Sequence, residues 1–166
     1  MNFHIVTLFP EAFDSYMSAS ILRRAQDAGK ITVAFYNPRD YAEDGKRADD
    51  RPYGGGPGMV LRAEPILGAL QDAVRQTQRK PFQRIRRVLK REKSKVRFWK
   101  RDPVKIVLTS PHGEQFSNEY ADTVEQGFDH VIVVCGRYEG VDARVKDIFP
   151  MDEVSIGPYT LTGGEL

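Results

Sequence analysis

The residues best suited to chemistry sit in three short turns, each falling where an apolar run stops. They are Thr109-Ser110-Pro111-His112-Gly113, then Cys135-Gly136-Arg137-Tyr138-Glu139-Gly140, then Ile156-Gly157-Pro158-Tyr159-Thr160-Leu161-Thr162-Gly163-Gly164. Glycine lets backbone approach a flat ligand closely, and the freed N–H and C=O groups can bond an adenine edge or a ribose. One glycine after a strand is commonly just a turn. Three at one sheet edge point to a pocket, because ligands of parallel α/β sheets bind at the carboxyl ends of the strands. Other chemistries find less support. Gly54-Gly55-Gly56-Pro57-Gly58 is not followed by Gly-Lys-Ser/Thr, which excludes a P-loop. No strand leads into G-x-G-x-x-G, and no serine sits in a nucleophile elbow. The three histidines show no metal-ligand spacing. His4 and His130 lie inside strand patterns and read as structural, and Cys135 reads as a small buried side chain.

The elements that must hold these turns follow from periodicity. Phe3 to Phe9, Ile31 to Tyr36, Val104 to Thr109 and His130 to Val134 are short apolar runs that read as buried strands. Glu153 to Ile156 adds a fifth. Pro10 opens a helix, with Phe13, Tyr16, Met17, Ile21, Leu22 and Ala25 on one face and Gly29 as its cap. Glu64-Pro65 starts a second helix, with Ile66, Leu67, Leu70 and Val74 on one face. Ser117 caps a third that ends at Gly127, and a fourth runs from Val141 to Ile148. Strands alternating with helices predict an α/β domain, a mostly parallel sheet with helices on both faces. Asn37 to Met59 breaks the pattern as a long polar loop, a type usually functional or mobile.

A chain of 166 residues and 18.9 kDa, 40 % hydrophobic, is one ordinary domain or one domain plus a short appendage. A single cysteine excludes an internal disulfide. The start lacks a signal-peptide pattern and no apolar run is long enough to span a bilayer, so the chain reads as a soluble, cytoplasmic protein without a membrane partner. The net charge of +2 conceals an asymmetry. Residues 75–103 hold thirteen of the 25 Lys and Arg and two acids, a local +11, while the remainder carries twelve basic and 21 acidic residues, −9. Such a segment suggests a polyanionic partner. Three readings of it stay open. It is an arm on nucleic-acid phosphates with Phe98 and Trp99 as stacking groups, a solvated insertion, or a helix lying on a membrane surface. Phe82, Ile85, Val88 and Leu89 would share one helical face within it.

Several long, ordered motifs carry a resemblance. Asp50-Arg51-Pro52-Tyr53-Gly54-Gly55-Gly56-Pro57-Gly58-Met59, Cys135 through Gly140, and Ser155-Ile156-Gly157 through Gly163-Gly164-Glu165-Leu166 resemble the bacterial tRNA (guanine-N1)-methyltransferases of the TrmD type, in the SPOUT class. The opening TLFPEAF and Ser110-Pro111-His112-Gly113 are also similar. The resemblance covers residues 1–74 and 104–166. It implies methyl transfer from S-adenosylmethionine to N1 of guanosine 37 of tRNA. It also implies a deep trefoil knot, and a homodimer with active sites between subunits. Its cofactor-binding positions fall on Leu108, Ser110 and Pro111, on Gly136, Tyr138 and Gly140, and on Ile156, Gly157, Pro158, Tyr159, Thr160, Leu161, Gly163 and Gly164. No metal site is implied. Pro158 departs from the family, which often has an acid there, and proline removes a backbone donor.

The resemblance also sets the substrate side. Glu139, Arg137, Arg51 and Tyr53 are expected to face the substrate, with Arg51 able to hold phosphate bidentately from a lid or dimer-contact loop. N1 of guanine must lose its proton before it can accept a methyl group, and general-base help contributes about 10²–10⁴-fold. The family's base, an Asp, and its assisting Arg lie beyond the GGEL junction, as does a helical tRNA-binding domain. The sequence is therefore expected to be a truncated cofactor-binding portion with no activity alone, its knot either complete or cut short. The rival from another class is a non-catalytic RNA-binding module that keeps the fold.

Overall fold

The computed structural model describes residues 1–43, 47–78 and 104–165. The basic stretch 79–103, with the face of Phe82, Ile85, Val88 and Leu89 and the aromatics Phe98 and Trp99, lies outside the described residues. Five strands form one sheet: β1 (Asn2–Val6), β2 (Thr32–Tyr36), β5 (Val104–Gln115), β6 (His130–Val134) and β7 (Asp152–Ser155). Their order is β2-β1-β6-β5-β7 and every pairing is parallel. All carboxyl ends therefore open on one edge. A two-residue hairpin, β3 (Asp49–Asp50) with β4 (Val60–Leu61), stands apart and encloses the glycine-rich loop.

Helices cover both faces, as the pattern predicts. In β6 the side chains alternate: Ile132 and Val134 join one core cluster, Val131 and Val133 the other. The first cluster is built on α3 (Ala63–Gln78), whose Ile66, Ala69, Leu70 and Ala73 are buried at helical spacing. Burying an Ile or Leu this fully contributes roughly 1.5–3 kcal/mol. The second cluster takes Val124 and Tyr120 from α4 (Asn118–Gly127). There Ser117 accepts the Tyr120 N–H at 3.2 Å, the expected cap. A further short helix, α5 (Arg144–Ile148), begins three residues later than expected. Asp142 accepts the Arg144 N–H at 3.0 Å and so fixes the start of the helix.

The structure corrects three details. The first helix is not continuous: a 3₁₀ turn, Pro10–Phe13, leads into α1 (Asp14–Met17), and α2 (Ser20–Asp27) follows after a break at Ser20, whose φ is +44°. None of these three pieces contains a buried residue, and Tyr16 and Ile21 of the expected core face are 72 % and 68 % exposed. The third strand does not stop at Thr109. It resumes beside β7 at Glu114, because Thr109 and Glu114 both stand opposite Val154 and Ser110 to Gly113 loop out between them. A Cβ on Gly113 would overlap the Glu153–Val154 backbone, so only glycine lets that loop lie so close. Asn37 to Met59 also holds more order than a plain loop, with the 3₁₀ turn Pro38–Tyr41 in addition to β3.

His4 and His130 are buried side by side across β1 and β6. The His4 ring meets Tyr36 Oη at 3.0 Å and His130 Nδ1 at 3.1 Å, joining three adjacent strands within the sheet. No helix among the described residues is long and apolar enough to cross a membrane.

Candidate active site

The three turns meet at the carboxyl edge of the sheet and enclose a cavity of about 470 Å³. The first turn contributes Leu108, Ser110 and Pro111, together with Thr109 and His112. The second contributes Gly136, Arg137, Tyr138, Glu139 and Gly140. The third contributes Ile156, Tyr159, Thr160, Leu161, Gly163 and Gly164. Gly157 and Pro158 shape that third turn without lining the cavity. Ser155 Oγ donates to the Gly157 carbonyl at 2.9 Å, which bends the chain there.

Thr109 pins the turns together. Its hydroxyl donates to the Val134 carbonyl at 3.2 Å and accepts the Gly136 N–H at 3.1 Å. Gly136 in turn accepts the Gly164 N–H at 2.8 Å. Gly164 rests directly on the Thr109 side chain, where a Cβ would overlap the hydroxyl. Tyr138 has a φ of +57°, a conformation that costs a non-glycine residue about 1–3 kcal/mol and that concentrates at functional sites. Tyr138, Ile156, Tyr159 and Leu161 are large and exposed, yet all four border the cavity. Apolar surface gathered in a concave site suits a flat, partly apolar ligand.

One wall is charged. Lys146 and Glu153 form an ion pair there, and this pairing, followed by a hydrogen bond from Ser110, holds the Glu153 carboxyl below its usual range. The pair comes from α5 and β7, elements with no sequence pattern linking them. Thr109, His112, Val141, Lys146, Glu153, Val154, Ser155 and Thr162 also line the cavity, and no local sequence signal marks them individually as binding residues. Cys135, at the end of β6, is buried, and burial pushes its thiol up to about 12, with the Glu165 carboxylate adding to the shift.

The substrate-side expectations divide. Glu139 stands at the cavity wall and is exposed. The glycine loop is bonded to its turn: Glu139 N–H donates to the Met59 carbonyl at 3.0 Å, and Leu61 N–H to that of Gly140 at 2.9 Å. A Cβ on Gly58 would lie 2.7 Å from Glu139 Cγ, and Gly58 has a φ of +87°. Arg51 and Tyr53 ride on this loop outside the cavity wall. The Tyr53 ring is 91 % exposed, with the Arg144 guanidinium 5.3 Å from its centre. Arg137 lines the cavity, but its guanidinium is engaged by the Thr162 carbonyl, Glu165 and the Phe9 ring, and it does not pair with Glu139.

A fully parallel sheet with three interlocked glycine turns at its carboxyl edge defines an α/β domain with a cavity where ligands of such sheets bind. Residues 1–166 match the family model for the tRNA (guanine-1)-methyltransferase TrmD, and the chain belongs to that family. It is 42 % identical over 167 residues to the tRNA (guanine-N(1)-)-methyltransferase of Geobacter sulfurreducens, covering all of this chain and 58 % of the relative. The enzyme of the same name from Oleidesulfovibrio alaskensis is 40 % identical over 166 residues, covering 99 % of this chain and 32 % of the relative. The crystal structure of the tRNA (m1G37) methyltransferase from Aquifex aeolicus superposes with a TM-score of 0.73 at 34 % identity, covering 99 % of this chain and 63 % of that one. The chain thus spans between about a third and three fifths of the length of these relatives.

Proposed function

We propose that this domain binds S-adenosylmethionine in the 470 Å³ cavity and serves methyl transfer to N1 of guanosine 37 of tRNA. The observation that carries the reading is the Thr109–Gly136–Gly164 interlock, which brings three glycine-bearing turns to one sheet edge. Family membership supplies the reaction class. The pocket residues fit the cofactor in kind. Gly136, Gly140, Gly163 and Gly164 leave backbone groups approachable, and Tyr138, Ile156, Tyr159 and Leu161 offer apolar surface to an adenine. When bound, the cofactor supplies an electrophilic methyl group.

The substrate base has to be held with N1 directed at that methyl group, and its N1 proton must leave. Two carboxylates line the cavity among the described residues, Glu139 and Glu153. Glu153 is committed to Lys146, whereas Glu139 at the second turn forms no ion pair among the described residues. Glu139 is therefore the group proposed to face the guanine. The position of the glycine loop, bonded to the Glu139 turn, favours a role for Arg51 and Tyr53 on the RNA side of the pocket. A homodimer in the cytoplasm, with a trefoil knot of the SPOUT type, completes the proposal. The exposed Tyr16 and Ile21 offer apolar surface that a second copy would cover.

Calorimetric titration with S-adenosylmethionine tests the pocket. The protein is expected to bind and Gly136→Val to lose binding, since even a Cβ at 136 would stand 3.0 Å from the Thr109 carbonyl oxygen. Gly127→Ala, at a site with open space around it, should bind as the parent does. Equal affinity in Gly136→Val and the parent would refute the assignment.

A further inference from the structure

Glu165 follows the two glycines of the third turn, and its side chain is only 6 % exposed. Its Oε1 accepts a hydrogen bond from Thr7 Oγ1 at 2.8 Å. Thr7, just past the end of β1, is itself buried, and its hydroxyl also accepts the Phe9 N–H at 3.0 Å. Glu165 Oε2 lies 3.6 Å from Arg137 Nε. That nitrogen is buried and makes no hydrogen bond among the described residues, so the carboxylate is its charge partner. The other arm of Arg137 donates to the Thr162 carbonyl at 2.9 Å, and its guanidinium lies 4.3 Å from the centre of the Phe9 ring.

These contacts converge on one stretch of chain. Thr162 is held by Arg137, Gly163 bridges Arg137 in antiparallel register, and Gly164 donates to Gly136. A Cβ on Gly163 would stand 2.9 Å from Arg137 Nε and overlap the Glu165 carboxylate, so glycine is what lets the ion pair pack beneath the turn. Neither Thr7 nor Glu165 lines the cavity, but Thr160, Leu161, Thr162, Gly163 and Gly164 all do. Burying a carboxylate is costly unless it is paired, and apolar side chains of similar volume often serve stability as well or better. What the polar arrangement adds is a fixed direction: two distinct oxygens hold two different strand ends.

We propose that Glu165 is a positioning residue, a buried latch that fixes the third turn against the ends of β1 and β6 through Thr7 and Arg137 and so sets cofactor affinity without touching the cofactor. The inference rests on the cavity being the S-adenosylmethionine site. Its test therefore carries one arm that does not depend on that reading.

The variants are Glu165→Ala, Thr7→Val and Thr7→Ser, each measured by calorimetric titration with S-adenosylmethionine and by hydrogen exchange at the Gly164 amide. Glu165→Ala is expected to weaken binding about tenfold or more, equivalent to about 1.4 kcal/mol. It should also speed Gly164 exchange by a similar factor. Thr7→Val, which removes the bond to Glu165 together with the one accepted from the Phe9 N–H, should shift both about threefold, and Thr7→Ser, which keeps the hydroxyl, should restore the parent values. Rescue by serine separates a directed bond from simple packing. If Glu165→Ala does not fold, the Thr7 pair decides alone. Parent-like Gly164 exchange and parent-like affinity in Thr7→Val and in folded Glu165→Ala would overturn the latch. If the parent itself binds no S-adenosylmethionine, the proposed function fails, and the Gly164 exchange rates by themselves decide for or against the latch.

Discussion

Gly164→Ala should be among the most damaging single-methyl changes in this protein. The added Cβ would overlap the Thr109 hydroxyl and stand 2.9 Å from Thr109 Cβ and 3.0 Å from the Gly136 nitrogen. Thr109 sits at the end of a strand segment and cannot retreat without turning its side chain. Turning it breaks the bond to the Val134 carbonyl and the bond from the Gly136 N–H. Two hydrogen bonds at about 1 kcal/mol each, plus about 1–2 kcal/mol for forcing in the methyl group, give roughly 3–4 kcal/mol. Where the turn deforms to relieve the clash, the loss appears in cofactor affinity, at about tenfold per 1.4 kcal/mol. Calorimetric titration and urea unfolding together measure both parts. Thr109→Ala removes the obstructing oxygen, so the double variant should cost less than the sum of the singles. Parent-like stability and affinity in Gly164→Ala, or strict additivity in the double variant, would refute the interlock.

Three further outcomes are expected. The Cys135 thiol, pushed up to about 12, should resist iodoacetamide at pH 8 in the folded protein and react at once in 6 M urea; rapid labelling without denaturant would place it at the surface. Asp142 and Glu153 have carboxyls held low by Arg144 and Lys146, so each contributes stability that is present above its unfolded value and is lost as pH falls through its lower folded value. Urea midpoints should therefore drop as pH falls below about 4, and Asp142→Asn should flatten that drop. With +11 in residues 75–103, the chain should bind tRNA with an affinity that falls steeply with salt. Removing residues 79–101 should reduce the slope by about 0.7–0.9 per lost phosphate contact, and an unchanged slope would make the segment a passive insertion.

Much of this fold was legible because its strands are short, apolar and nearly featureless. A run such as His130–Val134 fits only a strand covered on both faces, and the register puts it at the centre of the sheet. The first helix was misread for a definite reason. The spacing of Tyr16, Met17, Ile21 and Leu22 fits one amphipathic face, but periodicity carries no information about the break at Ser20 or about what the face packs against. The bulge in β5 was equally hidden. Ser110-Pro111-His112-Gly113 reads as a turn that ends a strand, and only the β7 pairing shows the strand resuming at Glu114.

The site itself divides along the line between local and non-local chemistry. Glycines that follow an apolar run mark turns at strand ends, so all three turns were visible one by one. What joins them was not, because Thr109, Gly136 and Gly164 are distant in sequence and meet only in the folded sheet edge. The same holds for Lys146 with Glu153 and for Glu165 with Thr7, each pair supplied by separate parts of the chain. Arg137 shows the converse. Its sequence neighbour Glu139 is the obvious ion-pair partner, yet the structure gives it Glu165 and leaves Glu139 at the cavity wall. An arginine held beneath the third turn ties the second turn to it, and the carboxylate left at the cavity wall is the one proposed to meet a substrate base.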